Sequence, residues 1–394
     1  MNDFLKAQSV EVNHLDLNPD TGLAGGALTG AKAVTQDRNV RPLLDQHFFE
    51  GSAEEKIDQR RSKAHSHSLS IKLQEVVQYN TQLAFNAPSA RLNMTIPSME
   101  NPDHHPLQRD GHWCVYSPPL IALPTQGFPE QHFFTALVFE KAPLAWPAPT
   151  DWQRFRLGIQ FERLWQCALA HLRGYELLAS NLQVQGPATT LGEFDLIVRH
   201  ENTLEHWELA VKFYLGTGDT TRESAWFGPN PTDRLDLKLQ RLLSHQMALT
   251  TTPAGQSLLK TQFGTSNAEV KGVVKGRLFH PFTAWLDAHW RYPEAITADH
   301  LRGWWLTDAD FVERFEDGPQ WFRPLSKRDW LSVLQPVPVD QRLTATDCMA
   351  ALSTSREQYA HHIAMLDDNG VETSRGFVVM APWLAITQAQ ERGL

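Results

Sequence analysis

Two runs of this chain decide its reading: Gly192-Glu-Phe-Asp-Leu-Ile-Val198 and, after a short gap, Trp207-Glu-Leu-Ala-Val-Lys-Phe213. Each is short, rich in β-branched and aromatic residues, and bounded by turn-like sequence, the signature of a strand. Side chains alternate across a sheet, so Glu193, Asp195 and Ile197 are expected on one face and Phe194, Leu196 and Val198 on the other. In the second run Glu208, Ala210 and Lys212 share a face, opposite Trp207, Leu209, Val211 and Phe213. Paired as a hairpin, the two runs present carboxylates and a lysine at one place on the sheet. Charged groups in otherwise apolar strands are costly unless they are paired or hold a metal. A Mg²⁺ bound by one or two carboxylates plus phosphate oxygens needs an oxygen-rich pocket of this kind.

Outward from the hairpin, residues 152–173 place Phe155, Ile159, Leu164 and Leu172 near helical spacing, with Glu162 between them. A third strand, ELLASNLQVQ (176–185), precedes GEFDLIVRHE (192–201) and HWELAVKFYL (206–215). The loops are too short for crossovers, so the three form an antiparallel meander. A helix is expected from Asp233 to Leu249. Helix, meander and helix make an α+β pattern. Beyond residue 270 the patterns predict strands at GRLFHPF (276–282), GWWLT (303–307) and FVVMAPWLA (377–385). Helices are predicted at DADFVERF (308–315), SKRDWLSVL (326–334) and SREQYAHHIAMLDD (355–368), and a loop at LQPVPVD (334–340).

Composition sets the organisation. All 13 tryptophans lie at or beyond Trp113, whereas stretches such as TGLAGGALTG (21–30) and FEGSAEEKIDQRRSKAHSHS (49–68) offer few apolar anchors to offset ordering entropy. Residues 1–106 are therefore expected to be a loose polar extension, with a helix around 70–85, where Ile71, Val76 and Leu83 are spaced roughly for one face. Residues 107–394 are the folded body, with a core at about 152–250 and a C-terminal elaboration at about 251–394. Three scattered cysteines (Cys114, Cys167, Cys348) supply neither a disulfide framework nor a paired-cysteine zinc site. With no apolar run of membrane-spanning length and no basic-then-apolar leader, a cytoplasmic protein is expected. The net charge of −9 counts against a role that coats nucleic acid through broad electrostatics, and leaves binding through a local patch or with the help of metal ions.

The ordered set of FERLW helix, GEFD strand and strand-borne Lys212 resembles the PD-(D/E)XK phosphodiesterase superfamily, the restriction-endonuclease-like fold. The wider stretch is similar to an uncharacterised bacterial family, a domain of unknown function grouped with those nucleases. The segments that carry this are SPPL (117–120), LGIQFERLW (157–165), GEFDL (192–196), WELAVKFYL (207–215) and KGRLF (275–279). The resemblance covers about residues 110–390. It implies a Mg²⁺-dependent nuclease, with Mn²⁺ as a substitute and DNA or RNA as substrate. Asp195 and Glu208 would bind the metal with the Val211 carbonyl. Lys212 would position the nucleophile, and Glu162 and Glu193 would complete the site.

One departure is material. The family's strand motif places an acidic residue two before the lysine, and here that position is Ala210. Three readings follow. Glu208, two residues earlier on the same face, reaches the metal; Glu193 or Glu162 replaces the missing ligand; or the module is catalytically inactive and binds nucleic acid or a protein partner. Arg234, Lys238, Arg241 and His245 fall at i, i+4, i+7 and i+11 of the expected second helix, a basic stripe that could follow a phosphate backbone. The ordinary readings stand beside these: a cross-strand Asp195–Lys212 salt bridge, and a solvated helix face. Trp304, Trp305 and Trp321 read more readily as core than as base-stacking platforms. His65, His67, His104, His105, His112 and Cys114 match no zinc spacing.

Overall fold

The structure is a computed structural model that describes residues 106–140, 156–288 and 290–393. The extension read over residues 1–106, with its helix at 70–85, lies outside the described residues except for Pro106.

The helices α1 (Pro106–Tyr116) and α2 (Gln131–Thr135) precede α3 (Leu157–Leu169). In α3, Phe161, Leu164, Trp165, Ala168 and Leu169 are buried, a helical stripe. Ile159, expected on that stripe, is exposed instead, and Leu172 is buried beyond the helix end. Trp165 lies edge-on to Trp207 at 5.5 Å, so the helix packs on the meander through two fully buried indoles. That contact is worth roughly 0.5–1.5 kcal/mol beyond the area it buries.

The meander follows as β1 (Tyr175–Gln185), β2 (Thr190–His200) and β3 (Thr203–Gly216), antiparallel as expected. A short β4 (Trp226–Phe227) pairs with the end of β3. The helix expected from Asp233 to Leu249 is three pieces: α4 (Leu235–Arg241), a π turn (Leu242–Gln246) and a 3₁₀ turn (Met247–Thr251). Helix α5 (Pro253–Phe263), capped by Thr252 accepting the Gly255 N–H at 3.0 Å, leads to β5 (Glu269–Pro281).

Strand β5 lies parallel to β3 in register Lys212↔Gly276. Gly276 is required there. Its φ is +152°, and a Cβ would sit 1.8 Å from the Lys212 carbonyl oxygen. After α6 (Phe282–Leu286) come β6 (Leu301–Thr307), α7 (Asp308–Phe315), β7 (Trp321–Pro324), α8 (Ala345–Ser353), β8 (Ala360–Leu366), β9 (Glu372–Val379) and α9 (Ala381–Arg392). The nine strands make one mixed sheet in the order β1-β2-β3-β5-β6-β9-β8-β7, with β4 beside β3. Strands β3, β5, β6 and β9 run parallel through its centre, flanked by antiparallel arms. This is a mixed α+β fold in which the segment after residue 251 continues the meander's sheet.

Three C-terminal expectations are corrected. SREQYAHHIAMLDD contains strand β8, not a helix, and all seven strand residues are buried. SKRDWLSVL makes one 3₁₀ turn, Lys327–Asp329, because the Arg375 guanidinium takes the carbonyls of Asp329 (2.7 Å), Trp330 (2.8 Å) and Ser332. FVVMAPWLA is strand to Val379 and then helix, opened by Pro382 in the first turn of α9.

Candidate active site

The β2–β3 ladder runs from His200↔Thr203 to Leu196↔Trp207 and stops there. The Leu209 N–H, freed from the ladder, donates instead to Asp195 Oδ2 at 2.8 Å. On the other flank of Asp195, the β1 residue Asn181 adopts a φ of +50° between the pairs Ser180↔Leu196 and Leu182↔Phe194. Strict alternation fails at this point. Phe194 and Ile197, three residues apart, bury in one cluster with Val184 and Leu249, while Leu196 and Val198 bury against α3. The expectation that Phe194 shares a face with Leu196 is therefore corrected.

Continued past Leu196↔Trp207, the register sets Asp195 opposite Glu208, close enough for each carboxyl to act on the other. Asp195 is 7% exposed and Glu208 1%. Burial pushes both carboxyl groups up to about 8; the charge of Glu208 adds to the effect on Asp195, and the Leu209 N–H opposes it. Two carboxyl groups this buried hold protons to higher pH than exposed ones do. Gln246, the last residue of the π turn, donates from Nε2 to Glu208 Oε1. Glu208 Oε2 is buried with no hydrogen-bond donor among the described residues, and His206 Nε2 approaches it at 3.5 Å.

Glu162, half-buried on α3, accepts from Asn181 Nδ2 at 3.3 Å. Burial raises its pKa, and its charge in turn helps to raise those of Asp195 and Glu208. Glu193 is exposed on β2 and near enough for its charge to push up Glu208. The structure thus brings the four sequence-selected carboxylates into one electrostatic neighbourhood, with Asp195 and Glu208 as its buried pair.

Glu208 and Lys212 line a cleft of about 80 Å³ with Ala210, Tyr214, Leu239 and Gln246. Lys212 is half-buried, and burial lowers its pKa; Asp233 and Glu208 partly restore it, and Lys238 lowers it further. Among the described residues no ion pair or hydrogen bond holds its ammonium, so the Asp195–Lys212 salt bridge is not formed. Ala210 puts a methyl group between Glu208 and Lys212 where the resemblance expects a carboxylate.

The basic stripe is altered. Arg234 caps α4 with extended backbone and is clamped bidentately by Asp236, Nε–Oδ1 2.7 Å and Nη2–Oδ2 2.9 Å. The π turn then breaks the helical period, so the four residues do not form one stripe. Lys238, Arg241 and His245 are exposed, with Lys238 3.9 Å from Asp233. Trp304 is fully buried, and Trp305 donates to the Gly216 carbonyl at 2.9 Å.

Two residues of the site escaped the sequence reading. His206 was findable, since period-two alternation puts it on the Glu208 face. Gln246 was not, because a π turn has no period to read. Two of the quoted outer segments pair with each other. Leu120 of SPPL donates to the Val274 carbonyl at 2.8 Å. Buried Lys275 of KGRLF donates to the carbonyls of Val115 (3.3 Å) and Ser117 beneath the Phe134 ring.

Among the described residues no group of three or more His, Cys, Asp or Glu side chains is placed to hold a metal ion. A closed protein-only cage such as structural zinc requires is therefore not built here. Two carboxylates, one with an unsatisfied buried oxygen, are the donor set that suits Mg²⁺ completed by water and phosphate. Among the described residues no helix is long and apolar enough to cross a membrane.

The molecule is thus a mixed α+β protein whose nine-stranded sheet buries an acidic pair beside a lysine that is unpaired among the described residues. The chain belongs to the family described as Domain of unknown function (DUF1853), whose model matches residues 109–379, more than two thirds of its length. No curated protein and no solved structure matches it.

Proposed function

We propose that the protein is a Mg²⁺-dependent phosphodiesterase of the PD-(D/E)XK, restriction-endonuclease-like type, hydrolysing DNA or RNA in the bacterial cytoplasm. The observation that carries this reading is that buried Glu208, set opposite Asp195 by the strand register, lines the same cleft as Lys212, which is unpaired among the described residues. The order α3, three-stranded meander, α4 and a further strand parallel to β3 supports it. Asp195 and Glu208 would hold the cation, Mg²⁺ or Mn²⁺. Bound there, it would supply Lewis-acid polarisation of the phosphate and activation of water. The Lys212 ammonium faces the same cleft and stabilises negative charge on the scissile phosphate. Glu162 and Glu193 hold the surrounding potential negative, which favours a cation. Lys238, Arg241 and His245, exposed beside the cleft, contact the nucleic-acid backbone.

Ala210 and the 1% exposure of Glu208 favour a second reading, an inactive nuclease-like module that binds nucleic acid or a protein partner. Cleavage assays decide between them. Labelled single- and double-stranded DNA and RNA are incubated with the full chain and Mg²⁺ or Mn²⁺. Metal-dependent cleavage lost in Asp195→Ala and Lys212→Ala supports hydrolysis; binding without cleavage supports the module.

A further inference from the structure

Glu208 is held unevenly. Gln246 donates to Oε1, whereas Oε2 is buried without a hydrogen-bond donor among the described residues. Facing Oε2 at 3.5 Å is His206 Nε2, two residues earlier on β3 and therefore on the same face. His206 is 0% exposed, and neither ring nitrogen has a hydrogen-bond partner among the described residues. Phe194 packs edge-on against the ring with centroids 4.7 Å apart, leaving Nε2 turned toward the carboxylate. A buried donor and a buried acceptor thus face each other about half an ångström beyond hydrogen-bonding distance.

We propose that His206 is a positioning residue for Glu208, its Nε2–H closing onto Oε2 when a divalent cation occupies the Asp195–Glu208 pair. Glu208 is then fixed between two donors, Gln246 on one oxygen and His206 on the other. The inference rests on the cation reading of this pair. It assigns the ring the tautomer protonated at Nε2 and gives a role to a buried histidine with no other hydrogen-bond partner among the described residues. Partners of this kind orient a ligating carboxylate, and their loss typically weakens metal binding roughly 10–100-fold.

The test is Mg²⁺ and Mn²⁺ calorimetry on the full-length wild type, Asp195→Ala, His206→Leu and His206→Gln, with folding followed by thermal midpoint. In parallel, the ¹⁵N resonances of the His206 ring are followed in wild type during a Mg²⁺ titration. Wild type is expected to bind. His206→Leu should bind roughly 10–100-fold more weakly while still folded, and His206→Gln, which keeps an N–H donor, should recover part of the loss. The Nε2 resonance should shift as Mg²⁺ saturates. A merely structural histidine would lower the thermal midpoint and leave the affinity of the folded protein unchanged. Folded His206→Leu with wild-type affinity overturns the inference alone, provided Asp195→Ala has lost binding. So does an Nε2 resonance that stays still at saturation, and this arm decides if His206→Leu does not fold. Wild type that binds neither cation overturns the cation reading and this inference together.

Discussion

Asp195 Oδ2 accepts the backbone N–H of Leu209 at 2.8 Å, across the point where the β2–β3 ladder opens. This bond joins fold to site. A strand amide that loses its ladder partner inside the protein must find another acceptor, and here the acceptor is a carboxylate. The same bond sets the Asp195 side chain against Glu208, so the end of the ladder creates the acidic pair.

The pair makes stability depend on pH in a direction opposite to the usual carboxylate. Both groups are raised to about 8, against about 4 in the unfolded chain. The folded protein therefore holds more protons than the unfolded chain between those values. Stability from this source is complete below about pH 4 and is lost as pH rises through about 8. Asp195→Asn keeps an acceptor for Leu209 and removes the charge. Metal-free Asp195→Asn is expected to melt a few degrees above wild type at pH 8, at ~2–4 °C per kcal/mol, and to match it at pH 4. Thermal melts across pH check this.

Among the described residues Lys212 lacks a partner, and its burial is unfavourable to its charge. Lys212→Met should leave the thermal midpoint unchanged or raised, and leave cation binding intact. Cleavage should fall by about 10²–10³, the scale for removing one preorganised charge-stabilising donor. Single-turnover kinetics beside calorimetry separates the two effects.

Gly276 lets β5 pass the Lys212 carbonyl. Gly276→Ala should destabilise the fold by at least roughly 1–3 kcal/mol from backbone strain alone, and more from displacement of β3. Urea unfolding measures it, and an unchanged midpoint would contradict the close approach.

Arg234 is occupied by Asp236, whereas Lys238 and Arg241 are exposed. Alanine at 238 or 241 should each reduce the slope of log affinity against log salt by about one for a nucleic-acid ligand. Arg234→Ala should leave that slope unchanged. Fluorescence anisotropy over a salt series reads all three.

The meander was legible because its strands are rich in β-branched and aromatic residues and its loops are short, and alternation along β3 put Glu208 and Lys212 on one face, although alternation in β2 fails around Asp195. DADFVERF begins and ends where α7 does, since Thr307 supplies a cap and accepts the Asp310 N–H. What stayed hidden depended on distant partners. Strand β8 is buried between β7 and β9, so AHHIAML carries no polar face from which a period can be read. The chain at 326–334 takes its shape from Arg375, more than forty residues away. The π turn that delivers Gln246 to Glu208 is a tertiary adjustment with no local signal. The pairing of Asp195 with Glu208 despite Ala210 depends on where the ladder ends, which composition does not encode.

Asp195 and Glu208 are proposed to form one divalent-cation site. Its most direct test is isothermal calorimetry of the full chain with Mn²⁺ at pH 8, comparing wild type with Asp195→Ala and Glu208→Ala. Saturable binding is expected in wild type, with proton release on binding because the carboxyl pair gives up its protons, and loss of binding in both variants. Wild type that binds no Mn²⁺, or variants that bind as tightly as wild type, would contradict it.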